Sequence, residues 1–445
     1  MRALTSTGLV GAMLALVGCS RPGVVIIGGG PAGLAAAIEA ASPSWPTDIY
    51  EAQKELGGSA VYGDAVTAIP SPTALARLDA ASGHANPART RFVERVGPDV
   101  VDWLRDMGQG WRPVENRIEP DVALLTPDGK GASLIAHLVA AAKAKGVNFH
   151  LGSKVTGLVR GTDTVTVTLA SGSVKARAVI IATGGFAGNL DRVRQRLGLG
   201  ADVPLLRGAT SFSDGNGIDL GVAVGGAERL PSQVLLYAHG VPDTDHPGAA
   251  LMFMDGDRGW PIDSIGAPFN DMRSPRGDSG IALLGRPGSS GWIVLDRATL
   301  DDVKLWSVDL RDFVPGRIAG QAVGVHGDSA EDLARRIHIA PEALTAGLFL
   351  APARPDAEHP LGRGRLIALP LRLTTAKSLT GLQIDLDGHL LDANSVILPH
   401  LYAAGEAAGF AHPWEAQHID STMVSGAILT GRAAGRAVAR DLSTP

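Results

Sequence analysis

The sequence predicts an α/β fold: a Rossmann-like domain, built of a parallel sheet plus a β-meander, carrying an inserted α+β capping domain. Three observations predict it. A β-branched strand runs through a glycine turn into a helix across residues 23–41. A second strand ends in an acid, Glu51. The strand pattern then fades between about Pro231 and Gly362 and returns at Leu366. The organisation implied is an export leader at 1–20, one domain in two parts at 21–230 and 366–445, and the insertion at 231–365. At 445 residues the chain is too long for one typical core, which agrees with this division.

Residues 1–20 read as the leader because Arg2 precedes the apolar stretch Leu9–Val17, the layout of a signal peptide. Leu16-Val17-Gly18-Cys19 resembles a bacterial lipobox, in which Cys19, the only cysteine, would be lipidated. The expected location is therefore the bacterial cell envelope, with peripheral attachment to a membrane surface; a cytoplasmic protein with a fortuitously apolar start is the alternative. The stretch is too short for a confident membrane-spanning helix.

Gly23–Ile27 is a continuous apolar run rich in β-branched residues, suited to a strand buried on both faces of a parallel sheet. Gly28 allows a sharp turn, Gly30 removes a side chain where a pyrophosphate must approach, and Gly33 lets the helix pack close. Pro31 is tolerated in the first helical turn, and the helix to about Ala41 aims its amides at the phosphates. Thr47–Tyr50 reads as the second strand, and Glu51 follows where an acid accepts from ribose hydroxyls. Strand, glycines, helix, strand and acid occur in order, so the unit binds a dinucleotide.

Further on, Arg91–Val96 and Pro98–Met107 read as helical pieces, Gly131–Lys143 as a helix, and Val147–Leu151, Ser153–Val159 and Val165–Leu169 as strands, the last two within the meander. His150 sits among apolar neighbours and reads as structural. Ala178–Ala182 is a buried strand ending in Thr183-Gly184-Gly185-Phe186, a glycine turn where α/β sheets place ligands. Ser213–Ile218 opens a helical stretch ending near Gly226. Inside the insertion, Ser329–Leu348 supplies helical segments. After Leu366 the strands are Leu379–Ile384, Gly388–Leu391 and the segment Leu401–Ala407, and Ser421–Ala439 is the last helix.

Composition narrows the function. Net charge is −5 and aromatics are 4%, which argues against nucleic acid as a partner. A single cysteine rules out an internal disulfide, a Cys-x-x-Cys redox pair and a zinc ribbon, and no metal site is expected. No second strand–GxGxxG–helix unit occurs, so no separate NAD(P)H domain is expected.

The order of motifs resembles the fumarate reductase/succinate dehydrogenase flavoprotein superfamily, which includes 3-ketosteroid dehydrogenases. Its marks are Gly28–Gly33, Glu51 with Gly57-Gly58-Ser59, Ala182–Asn189, Asp214–Gly217, Leu401–Glu406 and Thr430–Gly435, covering nearly all of the chain after Gly23. The resemblance implies FAD as cofactor, held by Gly28, Gly30, Ala32, Gly33, Glu51, Ala52, Gly57, Gly58, Ser59, Val155, Ala182, Thr183, Gly184, Asp214, Gly405, Glu406, Ser421, Met423 and Val424. Glu406 would meet the ribitol, and Ser421–Val424, at a helix N-terminus, the pyrimidine end of the flavin. In several relatives a histidine just after the Gly-Gly pair holds FAD covalently; Ser59-Ala60 stands there, so non-covalent FAD is expected.

The family's chemistry, by the same resemblance, is hydride transfer between flavin N5 and a carbon α or β to a carbonyl, on a small-molecule substrate. An external electron donor or acceptor is implied: a quinone, a cytochrome or O2. In Phe269–Ser279, Arg276 matches the family's proton donor and Arg273 is second; surface arginines are the competing reading. The family's His-x-Thr-x-Gly-Gly reads here Ala376–Gly381, without histidine. Its Asn-Arg-Leu-Gly-Gly-Asn reads Gln417–Thr422, with His418 in place of a carboxylate-binding arginine. A dicarboxylate thus loses two clamps. His418 is a candidate acid or base, ahead of His412 and Glu415. Alternatives left open are a flavin oxidase using O2 and a non-catalytic flavin-binding lipoprotein that shuttles electrons or aids assembly.

Overall fold

A computed structural model describes residues 22–62, 100–114, 124–230, 232–253, 259–269, 279–350, 365–409 and 422–444. The leader with Cys19 and the segment Arg91–Val96 lie outside these residues.

The strand Gly23–Ile27 is buried at all five positions. It runs parallel to Thr47–Tyr50 on one side and Gly172–Ile181 on the other. The sheet order is His389–Leu391, Ile397–Ala403, Gly172–Ile181, Gly23–Ile27, Thr47–Tyr50, Asn148–His150. Gly172–Ile181 serves two neighbours in turn. Its first half closes the meander, antiparallel to Val165–Leu169, which pairs with Val155–Arg160; its second half joins the parallel strands. Val24 and Ile26 pack under the helices Pro31–Ala40 and Thr422–Ser443, and Val25 and Ile27 face the meander. Both faces are covered, as a continuous apolar strand requires.

A second, nine-stranded sheet is centred on Leu366–Ser378, flanked by Val234–Pro242 and Ser290–Asp296. Its ladders are antiparallel except that of Leu205–Arg207, which joins Leu366–Ser378 in parallel. It therefore recruits strands from either side of residues 231–365. The helices Ala330–Arg336 and Pro341–Leu350 cover one face through Leu333, Leu344 and Leu348. On the other face Leu369, Leu371 and Leu373 share a core with Val179 and Phe186 of the first sheet, so one apolar cluster ties the two sheets together. No helix among the described residues is long and apolar enough to cross a membrane.

One strand expectation is corrected. Leu379–Ile384 is not a strand: the ladder ends at Ser378, and beyond it only the isolated bridges Glu228↔Leu382 and Ile384↔Leu390 form. Backbone amides here go to scattered partners, Leu379 N to Gln233 O and Leu382 N to Ala407 O. A Cβ on Gly381 would collide with the Ala407 carbonyl and the Gly409 amide. The chain here packs edge-on against the turn at 405–409 and pairs with no strand. His150 is structural as expected: it stacks on Tyr50 at 4.4 Å, and its Nε2 lies 2.9 Å from Asp48 Oδ1.

Far from the glycine turn, His389 ties the end of the C-terminal helix to the sheet. Its Nδ1 lies 2.7 Å from Asp385 Oδ2 and its Nε2 2.8 Å from Asp441 Oδ2, which also accepts from the Tyr402 hydroxyl at 2.7 Å. Burial alone would lower the imidazole pKa, but the bonds to Asp385 and Asp441 outweigh it and hold the pKa above the ordinary value. Both carboxyls, though burial raises them, are held below theirs by His389. Arg440, 3.2 Å from Asp441, adds to this at Asp441. Burial and Asp441 raise the Tyr402 phenol. The raised imidazole pKa means its contribution is complete below about pH 6.5 and is lost as pH climbs through the higher folded value. The carboxylates' contribution is complete above about pH 4 and is lost as pH falls through their lowered values. His389→Gln is therefore expected to cost about 1–2 kcal/mol in the window between. In urea titrations the gap to the parent should be widest near about pH 5.5 and narrow by about pH 9; a pH-independent gap would contradict the charged clip.

Candidate functional site

The glycine turn lies where parallel strands end side by side. Gly28 N donates to Tyr50 O and Ala182 N to Ile27 O, each at 2.8 Å, so three strand ends are stitched at one level. Gly28 has φ +105°, a conformation that L side chains resist. A Cβ on Gly33 would land on the Gly28 carbonyl oxygen, so only glycine lets the helix begin directly over the strand. At Gly30 a Cβ would meet nothing within 4 Å. There the backbone borders open space at a helix N-terminus with no side-chain cap, which is where an anion is bound by amides and dipole.

That space belongs to a cavity of about 470 Å³. Its floor crosses the carboxyl ends of four neighbouring parallel strands. Glu51 and Ala52 follow Thr47–Tyr50, and Gly28, Gly30 and Ala32 follow Gly23–Ile27. Ala182, Thr183 and Gly184 follow Gly172–Ile181, and Gly405 and Glu406 follow Ile397–Ala403. Three strand spacings span about 14 Å, a reach suited to an extended dinucleotide. Gly58, Ser59, Val155, Asp214, Met423 and Val424 line the same cavity.

Gly33 and Gly57 do not line it. Gly33 sits beneath the turn, and Gly57, at φ +111°, packs where a Cβ would collide with Val61 and Ile135. Both shape the site through backbone packing. Ser421, Arg273, Arg276 and His418 lie outside the described residues.

Glu51 is already engaged. Its Oε2 accepts from Gly29 N and its Oε1 from Gln53 N, both at 2.7 Å. The acid expected to meet a ribose thus also locks the glycine turn, and each oxygen keeps a further lone pair for a hydroxyl. Glu406 Oε1 accepts from Ser378 N at 2.8 Å and from Ser378 Oγ at 3.0 Å. Thr430 Oγ1 accepts from Gly405 N at 2.8 Å, fixing that turn to the C-terminal helix. Ser59, Thr210 and Ser213 form a hydroxyl chain with links of 3.0 Å. Lys154 pairs with Asp214 at 3.0 Å.

Several lining residues escaped sequence reasoning: Lys154, Ser213, and above all Lys377, at the end of the strand Leu366–Ser378. The signal was a lysine next to last in a mostly apolar and hydroxylic strand that also carries Arg372, but only the fold shows that this strand ends in the cavity. Cradle, helix N-terminus, ribose acid and length together fit FAD.

Comparisons with known proteins agree. The profile of a family described as FAD binding domain matches residues 23–418. Fumarate reductase (cytochrome) of Shewanella frigidimarina is 26% identical over 457 residues, covering 94% of this chain and 77% of that protein. A KsdD-like steroid dehydrogenase of Mycobacterium tuberculosis is 27% identical over 349 residues, 60% of each chain. Among solved structures, 3-ketosteroid delta1-dehydrogenase from Sterolibacterium denitrificans superposes with a TM-score of 0.78 at 15% identity, covering 94% of this chain and 99% of that one.

Proposed function

We propose, for a chain that belongs to the FAD binding domain family and is an FAD-dependent oxidoreductase of the fumarate reductase and steroid dehydrogenase group, that it oxidises or reduces a C–C bond next to a carbonyl, on a substrate that is not a dicarboxylate. The observation that carries this reading is the single cavity crossing four strand ends, in which the anion cradle at Gly30 and the acids Glu51 and Glu406 lie in sheet order. Bound FAD supplies the hydride acceptor or donor, at its N5.

This chain's own residues divide the remaining work. The amides at the start of Pro31–Ala40 hold the pyrophosphate, Glu51 a ribose, and Glu406, steadied by Ser378, the ribitol. The start of Thr422–Ser443, with Met423 and Val424, faces the flavin's pyrimidine end, where helix amides favour negative charge. With Ser59-Ala60 after the glycine pair, FAD is held without a covalent bond. The second sheet serves as the cap over the substrate. Arg276 moves the proton at the neighbouring carbon, Arg273 being the second candidate, and His418 acts as acid or base. Electrons pass to or from a quinone, a cytochrome or O2. Cys19 lipidation would place the enzyme at a membrane surface of the cell envelope.

Anaerobic addition of a panel of enones, saturated ketones and unsaturated acids tests the reading. At least one saturated member should bleach the oxidised flavin, or one unsaturated member reoxidise the reduced flavin. Arg276→Ala and His418→Ala should slow that change about 10²–10⁴-fold while FAD stays bound. A wild-type protein that holds FAD yet responds to no member would count against the enzyme reading. Hydrogen peroxide formation in air would identify an oxidase.

A further inference from the structure

Five charged residues line the cavity: Glu51, Lys154, Asp214, Lys377 and Glu406. Four of them are answered by the protein. Glu51 accepts two backbone amides, Lys154 and Asp214 pair with each other, and Glu406 is held by Ser378. The Lys377 side chain alone has no hydrogen bond or ion pair among the described residues. It is half-buried at the cavity wall and makes no ion pair among the described residues, so its charge is left for an anionic group of the ligand.

The fold also fixes where that residue stands. Lys377 is held by its register opposite Leu235. The next residue, Ser378, bonds Glu406 and accepts from Phe186 N at 3.2 Å. Lys377 therefore belongs to the end of the cavity beside Glu406, at the strand furthest from Glu51. The pyrophosphate cradle at Gly30 already has a helix N-terminus. At the Glu406 end the backbone amides of Thr422–Ser443 are neutral donors, and the charge that a full cation there would meet is the one that appears on reduction. Two electrons and one proton enter the ring system, so the reduced flavin carries one more negative charge than the oxidised form.

We propose that Lys377 poises the bound flavin: its ammonium stabilises the anionic reduced ring and thereby raises the reduction potential of the cofactor. This rests on the site being a redox-active flavin site, but not on the identity of the substrate. The lysine acts on the cofactor's equilibrium whichever carbon gives or takes the hydride.

The test is the potential of the holoenzyme, measured anaerobically with xanthine and xanthine oxidase as electron source and a mediator dye as reference. Lys377→Met should shift the reduction equilibrium about tenfold toward the oxidised form, about 30 mV for a two-electron couple. Lys377→Arg, which keeps the charge, should stay within twofold of the parent. By linkage, Lys377→Met should weaken binding of reduced FAD about tenfold more than of oxidised FAD. The dissociation constant of oxidised FAD, read by fluorescence, should change less than threefold. A change under twofold in Lys377→Met overturns the proposal, and so does an equal fall in Lys377→Arg, which would make shape the cause. The electron source is not the substrate, so a silent substrate panel leaves this result standing.

Discussion

A Gly33→Val chain is expected to purify without flavin absorbance and to be destabilised by about 3 kcal/mol or more. The cause is local and steric. A Cβ at Gly33 would land on the carbonyl oxygen of Gly28, a backbone atom that cannot swing aside as a side chain would. Relief requires lifting the helix Pro31–Ala40 off the strand, which also moves its N-terminal amides away from the anion cradle. Binding of FAD should weaken at least about 100-fold, near 2.7 kcal/mol. Gly30→Ala is the contrasting case. Its Cβ meets nothing within 4 Å, so the FAD-free protein should melt as the parent does, while FAD, which needs that space, binds less well. Thermal melts with and without FAD separate the two. A Gly33→Val protein that retained full flavin would refute the packing argument.

The second large effect is expected at Glu39→Ala. Arg432 is 1% exposed; its Nε donates to Glu39 Oε1 at 2.7 Å, and its guanidinium lies over Trp103, 4.4 Å from the ring centroid. Arg436 approaches the same carboxylate oxygen at 3.2 Å. Removing the carboxylate takes a charged partner at 2.7 Å away from a buried guanidinium, at a cost of about 3 kcal/mol. Replacing both partners, Glu39→Leu with Arg432→Met, should recover most of that loss, since buried ion pairs gain little over apolar neighbours of similar volume. The pair joins the helix that begins at the glycine turn to the helix that carries Met423 and Val424. FAD affinity should therefore fall along with the denaturation midpoint in the single variant. Equal losses in the single and double variants would show that shape, not charge, holds the joint.

What could be read from the sequence was what is encoded locally. Gly23–Ile27, the glycine turn and Thr47–Tyr50 with Glu51 depend on spacing over about thirty residues, and the structure shows that strand–turn–helix–strand unit. The meander was legible for the same reason: its strands alternate and follow one another. The second sheet was not. Its central strand, Leu366–Ser378, pairs with residues 205–207 and 290–296, partners far away along the chain that no local pattern announces. Leu379–Ile384 looked like a strand because Leu382 and Ile384 flank a polar Gln383 just after a long apolar run, but the close approach of Gly381 to the turn at 407–409 takes its hydrogen bonds elsewhere. The helix Leu190–Leu197 had readable signals at both ends, an Asn189 cap and Gly198 in the left-handed region. In the sequence Asn189 reads as the end of the glycine-rich motif Ala182–Asn189, which hides its role as a cap. Most residues expected at the cofactor meet in one cavity, ten of them because they stand just after four parallel strands. The lysine at 377 depends on where a long strand ends, which is a property of the whole fold.

That strand has a mechanical side. Leu366–Ser378 is thirteen residues long and is bonded along its length into the second sheet, yet Lys377 stands at the wall of the FAD cavity and Ser378 grips Glu406. It works as a push rod. A tilt of the second sheet, on whatever occasion, cannot leave its tip in place. The environment of the cofactor and the posture of that sheet are a single mechanical variable.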